Sequence, residues 1–225
     1  MKALIVGATG LVGRELVKTL LQTKYYNKVN IVVRKKLSIV HPRLEQYRMT
    51  FEEWDELSSD MFYQTDVYCT LGTTRKKAGS KENFRLVDYE YVLKMAQLAK
   101  KYQAKKFIVV TAMGADIKSL FFYNRVKGEL EQALIELQLP QLIIIRPSLI
   151  LGDRYEHRFG EQFAAKLYTW FSFAFKGKME KYKPVHAKRI ADAMYKLAIL
   201  SKEKQAVIQS NQIEYWAKKK QKGKT

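Results

Sequence analysis

Residues 1–6 are a short, mostly apolar run, Gly7-Ala8-Thr9-Gly10-Leu11-Val12-Gly13 follows at once, and residues 14–21 carry apolar side chains at helical spacing. A strand that breaks into a glycine-rich turn and then a helix is the opening of a βαβ unit. The three glycines have separate tasks. Gly7 lets the chain turn off the strand. Gly10, lacking a Cβ, lets backbone N–H groups approach a diphosphate, and Gly13 lets the helix lie close to the sheet. The first N–H groups of that helix have no partner within it and carry partial positive charge. The turn is therefore expected to cradle the phosphates of a dinucleotide; the alternative is an ordinary tight βα turn. The spacing is Gly-x-x-Gly-x-x-Gly, not the commoner Gly-x-Gly-x-x-Gly.

Residues 29–33 read as a second strand, ending in Arg34-Lys35-Lys36. An acidic residue there would hold ribose hydroxyls, whereas cations suit a 2′-phosphate. The planar guanidinium of Arg34 can bind one bidentately, with Lys35 beside it. This favours NADP(H) over NAD(H), against the alternative that these are solvated loop charges. Further strands are expected at 46–51, 66–70, 106–111 and 142–146, with a last one at 206–209. Gly72 follows the fourth strand, in the crevice where open α/β sheets bind ligands. Phe84, Val87, Tyr91, Met95, Leu98 and Ala99 predict a helix over 82–102, and further helices are expected at 121–137, 160–175 and 186–200. The succession predicts an α/β fold, a doubly wound parallel sheet (Rossmann) with a small irregular C-terminal substrate-binding part. The expected divisions are one domain over 1–217, with its core at 1–150 and a lid or substrate part at 151–217, and then a basic tail at 218–225.

Tyr123 and Lys127 are four residues apart on the helix before the last strand of the central sheet, and so share a face. A neighbouring ammonium lowers a phenol's pKa, which would fit Tyr123 for general acid–base work. Lys127 can also hold nicotinamide ribose hydroxyls. Thr111, at a strand's C-terminal end, is expected to hydrogen-bond a substrate carbonyl and complete a triad. The alternatives are an exposed helical pair and a strand-end threonine. Three scattered histidines and one cysteine, Cys69, form no metal cluster.

The net charge of +19 is the outlier in composition. It suits a polyanion or protein partner, or simply solubility. No apolar run is long enough for a transmembrane segment, no signal peptide is recognisable, and one cysteine suits a reducing compartment. A cytoplasmic location is expected on those grounds.

The glycine turn, the Tyr123/Lys127 pair and Arg146-Pro147 resemble the atypical or extended short-chain dehydrogenase/reductase superfamily. Several stretches resemble its Tat-interacting oxidoreductase-like branch: Leu71-Gly-Thr-Thr-Arg75 with Lys77-Ala-Gly79, Val87 to Lys94, Gly114-Ala-Asp116, Lys127-Gly-Glu129, Arg146-Pro-Ser148, and Asp153-Arg154 with Arg158. The resemblance implies an NADP(H)-binding oxidoreductase passing hydride to or from an unidentified carbonyl or alcohol. It places Thr9, Gly10, Leu11, Val12, Arg34, Leu71, Gly72, Lys127, Pro147, Ser148, Leu149 and Ile150 along the cofactor groove. The high charge, the aromatic stretch Tyr168 to Phe175 and the altered hydroxyl pair also suit an NADPH-binding redox sensor or interaction protein with little catalysis, and the same site would serve a nucleotide-sugar-type epimerase or dehydratase with NAD retained. Two departures stand out. The paired hydroxyl residues of relatives are here Thr111-Ala112, and Thr50-Phe51 stands where many relatives have an acidic residue near the adenine.

Overall fold

Strands that are apolar on both faces have to be covered on both faces, and this chain supplies them. The computed structural model describes residues 1–152 and 182–220; the aromatic-rich helix expected at 160–175 lies outside them. The first six strands are β1 (Lys2–Val6), β2 (Lys28–Val33), β3 (Leu44–Arg48), β4 (Thr65–Cys69), β5 (Lys106–Val110) and β6 (Leu142–Arg146). Two-residue strands β7 (Ile150–Leu151) and β8 (Val185–His186) pair with each other, and β9 (Gln205–Gln209) rejoins the main sheet. That sheet is parallel throughout, in the order β3-β2-β1-β4-β5-β6-β9, with helices on both sides. Its order turns back at β1 and β4, so the ligand crevice of a doubly wound fold opens above their C-terminal ends.

Alternate residues of each central strand feed two cores. Ile5, Tyr68, Ile108 and Ile143 face one side, with α1 (Leu11–Gln22) and the later helix Ala187–Leu200. Leu4, Val67, Val109 and Ile144 face the other, with the helical segment that begins at Lys81 and with the helix Phe122–Glu136. That segment is α3 (Lys81–Arg85), a π-helical turn at Leu86–Glu90, and α4 (Tyr91–Lys101). It is preceded by α2 (Arg75–Ala78) and followed, after β5, by α5 (Phe122–Glu136). The wide turn moves the buried stripe by one position. Phe84, Asp88, Val92 and Met95 point inward, so Val87 and Tyr91, expected in the stripe, are only partly covered.

The third strand lies two residues earlier than expected, because Val29 to Val33 of β2 pair with Leu44 to Arg48. The body also extends past residue 150. The helix Ala187–Leu200 (α6) packs on α1, and β9 pairs with β6 before a last helix, α7 (Ser210–Lys218), turns back onto α6. Residue 218, expected to open the tail, is the last residue of that helix.

At the opposite end of the sheet from the crevice, Tyr26 donates from its hydroxyl to Asp66 Oδ2 at 2.7 Å and lies 2.7 Å from the Tyr68 hydroxyl. Asp66 Oδ1 is buried without a partner among the described residues. Burial raises the Asp66 pKa above the ordinary 3.8. The native state therefore holds this proton to higher pH than the unfolded chain does. Stability from this group falls as pH rises from about 4 through the raised pKa, then levels off. Melting curves of the wild type and Asp66→Asn should nearly coincide at pH about 3.5 and separate in favour of the variant by neutral pH. A gap that does not change with pH would contradict the assignment.

Candidate functional site

The site is built where the glycine turn meets the loop after β4. Gly7 has φ +83, and a Cβ there would come within 2.6 Å of the Thr70 carbonyl carbon. A Cβ on Gly13 would overlap the Gly7 carbonyl oxygen and approach Ala8 Cα to 2.8 Å. The start of α1 thus lies directly on the turn. Gly10 donates its N–H to the Gly7 carbonyl (2.9 Å) and caps α1 without a side chain, leaving Leu11, Val12 and Gly13 to present the first N–H groups of the helix. Thr9 and Gly10 are exposed beside them. Thr70 ties β4 to β1 through its N–H and hydroxyl, both donated to the Val6 carbonyl (3.0 and 3.1 Å). Leu71 and Gly72 follow at the surface of the crevice.

Arg34 and Lys35 stand exposed at the end of β2, as expected. The structure adds Arg48, the last residue of β3, paired in register with Val33. Arg34, Lys35, Lys36 and Arg48 line one open hollow, and the Arg34 guanidinium sits 5.5 Å above the Phe51 ring. Phe51 is itself stacked on Tyr91 at 3.9 Å. Arg48 was legible only through the strand register.

Tyr123 is half-buried and Lys127 buried, one turn apart on α5. The expected lowering of the Tyr123 pKa is reversed. Burial raises it; Lys127 pulls it down, but Asp88 pushes it up again. Lys127 does not face Tyr123 alone. Its ammonium lies 2.8 Å from Asp88 Oδ1, with both side chains at 3% exposure or less. Burial works to lower the Lys127 pKa, but Asp88 and Tyr123 outweigh it and the net direction is upward. Asp88 Oδ2 accepts the Thr73 N–H at 2.7 Å. One carboxylate therefore joins the loop after β4 to the lysine of α5. It sits on the π-helical turn, a distortion frequent at functional sites. Asp88 was missed by the sequence reading. Its signal is an acidic residue four places after Phe84, on the face that the helix buries.

Thr111 is placed differently from its expected role. Its buried hydroxyl donates to Glu131 Oε1 at 2.6 Å, and Glu131 also accepts from Arg146 Nε at 3.0 and 3.1 Å. The carboxylate of Glu131, unnoticed in the sequence, draws this hydroxyl into a buried strand–helix contact. Thr111 therefore leaves the set of groups able to hold a carbonyl. Pro147 accepts the Met113 N–H at 2.8 Å. The Ser148 hydroxyl donates to the Lys183 carbonyl at 2.5 Å and accepts from Ser210 at 3.0 Å. The Leu149 carbonyl accepts the Val185 N–H, while Ile150 belongs to β7. This stretch joins β6 to the C-terminal part and leaves the Leu149 side chain exposed. Among the described residues no group of His, Cys, Asp and Glu could hold a metal. Cys69 is buried, and burial pushes its thiol pKa up to about 12, far from a reactive thiolate.

The residues fit a dinucleotide on two counts: a cradle that Cβ atoms would fill, and above it a helix N-terminus with no side-chain cap. Solved structures agree on the fold. A UDP-glucose 4-epimerase from Thermotoga maritima, described with UDP-glucose, superposes with TM-score 0.68 at 17% identity, over 93% of this chain and 77% of that one. MoeE5, described in complex with UDP-glucose and NAD, superposes with TM-score 0.67 at 15% identity, over 95% and 79%.

Sequence relatives are nearer. Protein HTATIP2 of Rattus norvegicus is 40% identical over 168 residues, 73% of this chain and 69% of its own length. Protein FMP52, mitochondrial, of Eremothecium gossypii is 31% identical over 219 residues, 95% of this chain and 96% of its own. The same name is carried by a protein of Lodderomyces elongisporus, 36% identical over 75% of this chain and 77% of its own. These mitochondrial names overturn the cytoplasmic expectation. One buried cysteine and a lack of long apolar runs do not distinguish one reducing compartment from another. The HIM1 family model matches residues 48–181, more than half of the 225 residues, so the chain belongs to the HIM1 family, on a Rossmann-like fold.

Proposed function

We propose that the protein binds a nicotinamide dinucleotide, NADP(H) in preference to NAD(H), and reduces a carbonyl substrate. The observation that carries this is the placement of the basic hollow, Arg34 to Lys36 with Arg48, beside a bare glycine cradle. The diphosphate would rest on the N–H groups of Leu11, Val12 and Gly13, and the 2′-phosphate on Arg34 and Arg48. Bound NADPH supplies the hydride. With its pKa raised by burial, Tyr123 keeps its proton at neutral pH and donates it to the substrate oxygen. Lys127, held cationic by Asp88, sets the potential around that phenol. Supported by the mitochondrial names of its fungal relatives, we place the protein in mitochondria.

Loss of NADPH absorbance over a panel of aldehydes and ketones tests the reading. Tyr123→Phe should lower turnover about 10²- to 10⁴-fold with NADPH affinity unchanged. Arg34→Ala/Arg48→Ala should weaken NADPH by about tenfold or more and leave NADH nearly unaffected. One observation favours a second reading, a cofactor-responsive interaction protein with little catalysis: the Thr111 hydroxyl is committed to Glu131, so the expected triad is short of one member. No turnover on any carbonyl, with NADPH-dependent capture of a partner, would select that reading. An epimerase or dehydratase would retain NAD, and the basic hollow argues against it.

A further inference from the structure

A second open basic hollow lies on the other side of the crevice, and the dinucleotide does not account for it. It is lined by Arg75, Lys76, Gly79, Ser80 and Lys81, with a volume of about 530 Å³. Two short helical segments, α2 and the start of α3, fold around Gly79, whose φ of +77 brings the cations of both to one mouth. Among the described residues none of Arg75, Lys76 and Lys81 is in an ion pair. Glu82 is next in the chain; its carboxyl turns to its own backbone N–H and to Ser80, and these, with the nearby Lys81 ammonium, hold its pKa down. Among the described residues the hollow thus carries a net excess of positive charge, three cations against one neighbouring carboxylate.

Its position relative to Tyr123 is what gives it a role. Lys81 Nζ lies 5.6 Å above the Phe122 ring, the residue before Tyr123. Phe84, one turn beyond Lys81, has its ring centroid 5.5 Å from that of Tyr123. The same loop, through Thr73 and Asp88, is tied to Lys127. Arg34 and Arg48 end β2 and β3, on the far side of β1 from β4, whose exit loop carries this second cluster. A group bound at Arg75, Lys76 and Lys81 would therefore sit on the same side of the crevice as Tyr123, one aromatic side chain away from it.

We propose that this hollow binds the phosphate of a small phosphorylated carbonyl compound and so delivers the carbonyl to Tyr123. Among the described residues three cations outweigh the one neighbouring carboxylate, Glu82, a balance that favours a phosphate dianion, and guanidinium with ammonium groups is the usual donor set for it. The proposal rests on the oxidoreductase reading for its carbonyl but not for its anion site.

The test uses the full chain saturated with NADPH, so that the dinucleotide's own phosphate sites are filled. Binding of glycerol phosphate and of glycerol is measured by calorimetry, and NADPH oxidation is followed with glyceraldehyde 3-phosphate and glyceraldehyde. The phosphorylated member of each pair should be preferred by about tenfold or more. Arg75→Ala/Lys81→Ala should erase the preference and leave NADPH affinity unchanged. A control pair of equal charge change, Lys202→Ala/Lys204→Ala at the opposite end of the sheet, should retain it; this separates a site from the general attraction of a +19 protein. Equal loss in both variants, or no preference in the wild type, would overturn the proposal. Discrimination of glycerol phosphate without turnover of either aldehyde would keep the anion site and overturn its role in delivering a carbonyl to Tyr123, while the carbonyl panel decides the oxidoreductase reading separately.

Discussion

Asp88→Ala should lower the unfolding free energy by about 3–5 kcal/mol. The change removes the carboxylate from a buried pair and leaves the Lys127 ammonium at 3% exposure with its nearest counter-charge gone. It also frees the Thr73 N–H, so the loop after β4 loses its anchor. The double variant Asp88→Ala/Lys127→Met should regain most of that loss, because a buried ion pair replaced by apolar side chains is often neutral in stability. Urea unfolding of the wild type, Asp88→Ala, Lys127→Met and the double variant forms the cycle that isolates the pair. A loss below about 1 kcal/mol for Asp88→Ala would mean that water reaches this lysine in solution. The double variant, although folded, should bind dinucleotide more weakly, since the loop after β4 no longer has its anchor at Asp88.

Gly13→Val should reduce dinucleotide affinity by about a hundredfold and cost about 1–3 kcal/mol of stability. The added Cβ falls on the Gly7 carbonyl oxygen and 2.8 Å from Ala8 Cα, both backbone atoms that cannot swing aside. The start of α1 must retreat from the turn. The N–H groups of Leu11, Val12 and Gly13 move with it, and each hydrogen bond from such a group to a charged phosphate oxygen is worth about 1.5–3 kcal/mol. Gly10→Ala is the graded control. Its Cβ would come 3.2 Å from the same Gly7 oxygen, a tight approach that a small shift relieves, so a milder effect is expected. Equal effects at the two positions would contradict the assignment of Gly13 as the point where helix and turn meet.

Much of this arrangement was legible in the sequence because it depends on local patterns. The opening turn announces itself through glycine spacing, and the central strands through runs apolar on both faces. Tyr123 and Lys127 follow from one helical turn. What escaped depends on partners distant in the chain. Arg48 joins Arg34 only through the register of β2 and β3. Glu131 claims Thr111 from 20 residues away, between a strand and a helix. Asp88 reaches Lys127 across two separate helical segments, a pairing that spacing within either segment does not reveal. The direction of the Tyr123 pKa was misjudged for the same reason: proximity of an ammonium is visible in a sequence, whereas burial and a third, acidic neighbour are not.

Titration of the purified protein with NADPH and with NADH, followed by tryptophan fluorescence, addresses the dinucleotide reading without assuming a substrate. Trp54 is suited to report it, being packed 5.1 Å from the Phe51 ring that lies under Arg34. The expected result is saturable quenching by both, with NADPH bound at least about tenfold more tightly. Saturation by neither at millimolar concentration would contradict the reading of the glycine turn, the basic hollow and everything built on them.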